Sequence, residues 1–426
     1  MELVAEGYLN QDEPEDRLGG EESAPAIEPV PLRRARKQIS RKLTITPIEL
    51  VGLERAKRGF STRRVDWSQV CTLVDGPIRP RTGDLVLAQV DRLHYQRRIE
   101  LPNGRKANLS PGDTIVVAYG DRYATDQFEA EVPLDLGRTN LVATGGVAAK
   151  MLSRNSGIRS ATEITPLGLL ADRQGTPINL RQFALPHRDA PDLRPPVFAV
   201  LGTSMNSGKT TTNQALATGL SRAGYKVGTA KVAGTGSGGD FWAMVDAGAA
   251  EVVDFTDAGY SATYKVPLPQ LESIMVDLVA HLAARKCDVI LVEVADGILQ
   301  EQNVDFIASP VFTGLVDGIF FAAGEAMGAT FGLDRLAALG LPVLGLSGKL
   351  TASELLIREA ERAVKVPIYR KDDLSDPGKV GAILGLDPPA ADDLIEAEPD
   401  GLPASVFLFD RSGPAIEPIV PARNIA

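Results

Sequence analysis

Residues 197 to 211 read Val-Phe-Ala-Val-Leu-Gly-Thr-Ser-Met-Asn-Ser-Gly-Lys-Thr-Thr. An apolar strand runs into Gly202, five residues intervene, and Gly208-Lys209-Thr210 follows. The stretch has the pattern of the phosphate-binding loop G-x-x-x-x-G-K-[ST] with one residue added. Its glycines let the backbone curl until the amide N–H groups converge on phosphate oxygens, Lys209 adds positive charge, and Thr210 offers a hydroxyl to Mg2+. The expected nucleotide-binding set is Gly202, Thr203, Ser204, Met205, Asn206, Ser207, Gly208, Lys209, Thr210 and Thr211. An NTP or a similar phosphate is the expected ligand.

The flanks of the loop have the context this chemistry requires. Leu216 and Leu220, with Ala217 and Ala223, recur at helical spacing after Thr210, and Gly224 stops that helix. Residues 226–232 supply the next strand of a βαβ unit. Beyond Pro196 the pattern is regular, with strands expected at 197–201, 226–232, 288–294, 316–322, 342–347 and 366–369. The clearest helix is 271–285, where Leu271, Ile274, Met275, Leu278 and Leu282 form one stripe. Apolar strands alternating with amphipathic helices predict a mostly parallel sheet covered on both faces, with the site at the carboxyl ends of its strands.

Before Pro196 the sequence has a different character. Residues 81–141 hold short strand-like runs separated by turns, among them Pro102-Asn103-Gly104 as a hairpin turn. They predict a small all-β barrel or sandwich. The string Gly120-Asp121-Arg122-Tyr123-Ala124-Thr125-Asp126-Gln127-Phe128-Glu129 is either a surface turn with an Arg–carboxylate pair or a loop facing a ligand or a neighbouring domain. Residues 140–195 read as a connection punctuated by glycine and proline. The expected layout is therefore a tail at 1–45, a β-rich domain with its connection at 60–190, the α/β domain at 196–386 and an extension at 387–426.

Charge and cysteine content narrow the function classes. A net charge of −10 over 426 residues argues against general nucleic-acid affinity. Residues 1–30 carry nine acidic side chains and one basic, which predicts disorder. Residues 31–42 carry six basic and no acidic side chains. They form either a solvated arm that packs on an acidic tail or partner, or a nucleic-acid contact, and no aromatics interleave with the arginines as a stacking platform would need. Cys71 and Cys287 stand far apart and only three histidines are present, so disulfide staples, zinc sites and Ser-His-Asp chemistry have little to build on. No apolar run spans a membrane and the chain opens on acidic residues, so a cytoplasmic protein with no membrane partner is expected.

Three further segments carry chemistry. Lys231 leaves the carboxyl end of a core strand beside the phosphate loop, placed to steady transferred charge, and Asp240 follows a glycine-rich loop within reach of Mg2+. The alternative for Lys231 is a snorkelling side chain beside a flexible linker. Val289-Ile290-Leu291-Val292-Glu293 ends in a carboxylate at the strand tip, the second feature of nucleotide-hydrolysing sheets. Ser347, Gly348 and Lys349 close a late strand, where they either frame a base or form a turn that Thr351 or Ser353 caps.

These residues resemble the part of the P-loop superfamily containing dethiobiotin synthetase, the molybdopterin-guanine dinucleotide accessory NTPase and the cobyrinate amidases. Residues 230–264, with Gly239-Asp240-Phe241-Trp242 and Asp254-Phe255-Thr256-Asp257-Ala258-Gly259, look like an uncharacterised bacterial P-loop family related to D-glutamate N-acetyltransferases. The resemblance covers about 196–370, not the β-domain, and implies an α/β fold with a C-terminal P-loop NTPase domain there; the small all-β domain and the disordered tail expected from the sequence pattern precede it. No lysine lies between Gly202 and Gly208, which separates the chain from the partition and targeting ATPases. Asn206 stands where dethiobiotin synthetase has an acid, and Ala295-Asp296 replaces its glycine pair, so that family's substrate does not carry over.

The expected activity is Mg2+-dependent binding of ATP, with phosphate transferred to or activated on a small-molecule carboxylate or amine. Lys209, Lys231 and Glu293 are the expected catalytic residues, Thr210, Asp240 and Glu293 organise Mg2+, and Ser347 and Gly348 join the nucleotide site. GTP in place of ATP stays open. So does an acyltransferase gripping the pyrophosphate of acetyl-CoA, and a regulatory NTPase acting through a protein or nucleic-acid partner. A homo-oligomer is expected.

Overall fold

The structure is a computed structural model that describes residues 42–50, 52–189 and 194–389. Nearly all of the acidic and basic tail, and the extension beyond residue 389, lie outside the described residues.

Twelve short strands come first. They are β1 (Thr44–Pro47), β2 (Lys57–Arg58), β3 (Thr72–Asp75), β4 (Leu85–Arg92), β5 (Arg98–Glu100), β6 (Lys106–Asn108), β7 (Thr114–Tyr119), β8 (Arg122–Tyr123), β9 (Phe128–Glu131), β10 (Thr139–Ala143), β11 (Val147–Arg154) and β12 (Thr162–Ala171). β12, β4, β7, β11 and β10 pair in turn and β10 pairs back to β12, so these strands close into a ring. Alternate side chains point to one face of a strand. Val86, Ala88, Val90, Ile115 and Val117 accordingly form one core cluster, while Leu85, Leu87, Val116 and Ala118 form another on the opposite face. The Pro102-Asn103-Gly104 turn joins β5 to β6 as an antiparallel hairpin.

Two expectations fail here. Thr44 and Ile45 are not tail but open an edge strand, Thr44–Pro47, paired with β3, Thr44 opposite Asp75. Residues 140–195 are not a connection, since most of β10 and all of β11 and β12 fall within them and complete the ring. Their alternation is hidden by Pro166 and Gly168, which sit where the β12–β4 register shifts. A bulge tolerates both residues inside a strand.

The second half alternates strands and helices. In order these are β13 (Val197–Gly202), α1 (Lys209–Arg222), β14 (Val227–Lys231), α2 (Gly238–Asp246), β15 (Glu251–Asp254), α3 (Leu268–Ala284), β16 (Val289–Glu293), α4 (Glu301–Ala308), α5 (Pro310–Leu315), β17 (Gly318–Ala322), α6 (Ala326–Ala338), β18 (Val343–Ser347) and α7 (Glu354–Ala363). The sheet is parallel throughout, in the order β15-β14-β16-β13-β17-β18. β13 is buried along its whole length, as its apolar run requires. β16 lies between β13 and β14, so Gly202, Glu293 and Lys231 end adjacent strands at one edge, with Lys231 in register with Glu293.

Two strand assignments change. Residues 366–369 make only an isolated bridge between Ile368 and Leu346, because Pro367 has no N–H to offer a ladder. Residues 251–254 form the edge strand β15, a short piece with an acid at each end that apolar patterning passes over.

Buried polar contacts join the barrel to the sheet. Arg63 donates to Asp254 (3.1 Å) and is ion-paired with Asp257, its guanidinium stacked 4.3 Å from the centre of the Phe60 ring. Phe60 itself packs edge-on against Phe241 of α2, with centroids 5.5 Å apart. The Gly238 amide donates to Glu100 (2.8 Å) and the Ser261 hydroxyl to the Tyr119 carbonyl (2.6 Å). Replacing Arg63 with Met removes the main counter-charge of two buried carboxylates, leaving Asp257 with Arg64 at 3.7 Å and Asp254 with hydrogen bonds from Thr256, a change that costs on the order of 3 kcal/mol. Urea unfolding of Arg63→Met is expected to show a loss of that size. A loss below about 1 kcal/mol would show that the cluster is not what ties barrel to sheet.

Candidate nucleotide site

The phosphate loop leaves β13 at the centre of the sheet. Gly202 is tight against its neighbours, since a Cβ there would lie 2.8 Å from the Ala322 carbonyl oxygen. The additional residue is absorbed by a left-handed backbone at Asn206 (φ 59°), a conformation that Asn tolerates better than most residues. Gly208 (φ 108°) then starts α1 without a side-chain cap, so the first-turn amides are free to face an anion. Lys209 Nζ donates to the Ser204 carbonyl (2.8 Å). Burial holds the Lys209 ammonium below its usual pKa, despite the nearby Glu293 and Asp296 carboxylates.

The strand tips bring the metal candidates together. The Thr210 hydroxyl lies 3.1 Å from Asp240 Oδ1 and 3.3 Å from Glu293 Oε1. Lys231 is ion-paired with Asp240 and lies 3.5 Å from Glu293 Oε1. Burial opposes the Lys231 charge, but the two carboxylates outweigh it and hold the ammonium above its usual range. Glu293 goes the other way, its carboxyl pushed up chiefly by burial although Lys231 and Lys209 pull it down. Its Oε2 is buried without a hydrogen-bond partner. A hydroxyl and two carboxylates, one of them with an unpartnered oxygen, fit Mg2+ carried in on a nucleotide's phosphates. No cluster of three or more ligating side chains that would hold a metal unaided occurs among the described residues.

The other predicted residues divide by position. Met205, Asn206, Gly208, Lys209, Thr210, Thr211, Lys231, Asp240 and Glu293 line one cavity of about 470 Å³, within the range of small-molecule sites. Gly202, Thr203 and Ser207 lie behind that wall. Thr203 N donates to the Ala322 carbonyl (3.0 Å), and the Ser207 hydroxyl oxygen is buried without a partner. The Ser204 hydroxyl donates to the Met205 carbonyl (3.0 Å). Ser347 is buried at the end of β18, and Gly348 packs against the back of the loop, where a Cβ on Gly208 would lie 2.7 Å from its Cα. Of this trio only Lys349 lines the cavity, its amide also donating to the Ser207 carbonyl (2.9 Å).

The barrel closes the cavity. Arg122, Tyr123, Ala124 and Gln127 form its far wall, so the 120–129 string faces the site as well as the neighbouring domain. Asp126 accepts a hydrogen bond from the Asn206 side chain (2.8 Å), which ties the barrel to the crest of the phosphate loop. Asp296, three residues past the Glu293 tip, also lines the cavity in a left-handed conformation (φ 63°). Burial pushes its carboxyl above the ordinary range, with Lys209 and Lys231 opposing. Its only sequence signal was its place after the strand-tip acid.

A family model described as molybdopterin guanine dinucleotide synthesis protein B matches residues 197–298. No curated protein matches this chain. Among solved structures it is similar to the signal recognition particle 54 kDa protein of Aeropyrum pernix, at 21% identity, 46% of this chain, 47% of that one and a TM-score of 0.32. It is also similar to the signal recognition particle receptor FtsY of Elizabethkingia anophelis, at 19% identity, 45% and 64% coverage and a TM-score of 0.31. The chain thus spans less than two thirds of either protein. No helix among the described residues is long and apolar enough to cross a membrane. The family match runs from the phosphate loop through the Lys231 and Glu293 strands, and together with the parallel sheet it supports a P-loop nucleotide-binding domain over these residues.

Proposed function

We propose that the chain is a Mg2+-dependent enzyme that transfers the terminal phosphate of a nucleotide to, or activates with it, a small-molecule carboxylate or amine. The observation that carries this is the cavity itself, which extends past Lys209 and Glu293 to a wall built by the barrel. Phosphoryl transfer needs positioning and charge stabilisation more than covalent help. The loop amides and Lys209 would grip the phosphates, and Lys231 would move its charge onto the transferring group. Thr210, Asp240 and Glu293 would hold Mg2+, which neutralises the phosphate oxygens when bound. Asp296, which lines the cavity, would take the acceptor's proton, and burial raises its affinity for one.

Thermal-shift measurements with ATP, GTP and acetyl-CoA, each with and without Mg2+, test this. The guanine in the matched family's description makes GTP as necessary a probe as ATP. A triphosphate is expected to raise the melting temperature several degrees, and only with Mg2+. Stabilisation by acetyl-CoA, indifferent to Mg2+, would overturn the phosphoryl-transfer function in favour of acyl transfer.

A further inference from the structure

Among the described residues Arg122 is the one arginine on the cavity wall, and it comes from the barrel rather than from the sheet. It sits on β8, only 7% exposed, with its guanidinium 5.8 Å from the centre of the Phe128 ring. One nitrogen, Nη2, donates to Gln127 Oε1 (2.8 Å). Nε and Nη1 are buried with no hydrogen-bond partner. Asp126 and Asp296 are close enough to favour the charge, yet neither is ion-paired with it, and burial dominates, drawing the guanidinium down to about 10. Leaving two donors of a buried cation unmatched is expensive, and proteins retain such an arrangement where an acceptor arrives from outside.

The geometry points to Arg122 as an anion-binding residue that the barrel extends into the nucleotide cavity, where it holds oxygens of the terminal phosphate. The inference rests on the cavity being a nucleotide site. Three features select that oxyanion. The inner phosphates have the loop amides and the start of α1, on the opposite wall. The strand-tip side, where Asp296 follows Glu293, holds the metal candidates Thr210, Asp240 and Glu293, so a terminal phosphate would meet the metal there, and Asp296 is among the charges acting on Arg122. The Asn206–Asp126 hydrogen bond (2.8 Å) ties the Arg122 hairpin to the crest of the same loop. Nη1 is unmatched and Nη2 keeps a second hydrogen beyond the one given to Gln127, so the Nη1/Nη2 end of the planar guanidinium can offer two parallel donors to two oxygens of one phosphate, which an ammonium cannot reproduce.

Calorimetry in Mg2+ with a non-hydrolysable triphosphate and the matching diphosphate, for both adenine and guanine, separates the outcomes. Arg122→Met is expected to weaken the triphosphate at least about tenfold while leaving the diphosphate within about twofold. Arg122→Lys keeps the charge but not the fork, and is expected to recover only part of the loss. Gln127→Leu, which releases the guanidinium without removing it, is expected to show the same selective weakening to a smaller degree. Equal losses for diphosphate and triphosphate would make Arg122 structural, and no loss for either would remove it from the site; both overturn the inference. A wild-type protein that binds neither nucleotide would instead overturn the nucleotide reading. If Arg122→Met does not fold, the triphosphate-to-diphosphate ratio in Arg122→Lys and Gln127→Leu decides by the same criteria.

Discussion

Lys209→Ala is expected to raise the dissociation constant for nucleotide by at least about 100-fold. The ammonium is buried at the head of α1, and charge-assisted hydrogen bonds to phosphate contribute roughly 1.5–3 kcal/mol each, with tenfold for every 1.4 kcal/mol. Two such bonds carry the estimate. The ligand-free protein should not be destabilised, because burial holds this ammonium below its usual pKa and its removal relieves that penalty. A folded variant without affinity is therefore the predicted outcome, read by calorimetry alongside a melt. Unchanged affinity would remove the phosphate loop from nucleotide binding altogether.

The second large effect is expected at Glu293. Glu293→Gln should abolish the Mg2+ dependence of nucleotide binding and reduce turnover by two or more orders of magnitude, since the metal loses an anionic ligand at a site with few others. Stability should move the other way. The folded-state pKa of Glu293 lies above its ordinary value, chiefly through burial, so ionisation costs the native state stability. That cost is absent below the unfolded-chain value and grows as pH rises through the folded-state value. The ligand-free amide variant should thus melt higher than wild type at pH 7–8, with the gap closing on acidification. In the wild type, Mg2+ dependence should fade as the pH drops through that raised value, before ordinary carboxylates titrate. A variant that melts lower at pH 8 and keeps its Mg2+ response would contradict both parts.

The phosphate loop was legible because its residues are contiguous and their spacing is set by the ligand's own geometry. Lys231 and Glu293 were legible for a related reason: parallel strands end at a common edge, so a polar residue closing an apolar run points to that edge. The contribution of the barrel was not. Asp126 and Asn206 meet across 80 residues, and no periodicity records which loop of one domain will face the other. The string holding Arg122 was conspicuous for its composition, but its orientation depends on contacts such as Ser261 with Tyr119. Ser347 and Gly348 show the converse. Their position after a late strand suggested contact with a base, while packing sets Gly348 behind the loop instead.

The ties between barrel and sheet have a consequence for how the molecule comes apart. Arg63 with its two aspartates, and Glu100 with the Gly238 amide, each place a buried donor on one half and its acceptor on the other. If either half melted first, the survivor would expose unmatched charge and the Phe60–Phe241 contact would be lost to both. Loss of one half therefore undermines the other, and the described residues are expected to unfold as a single cooperative unit, read as one transition in a calorimetric melt. A fragment cut at the start of β13 would keep every phosphate-loop residue and still lack the partners that let its sheet edge fold.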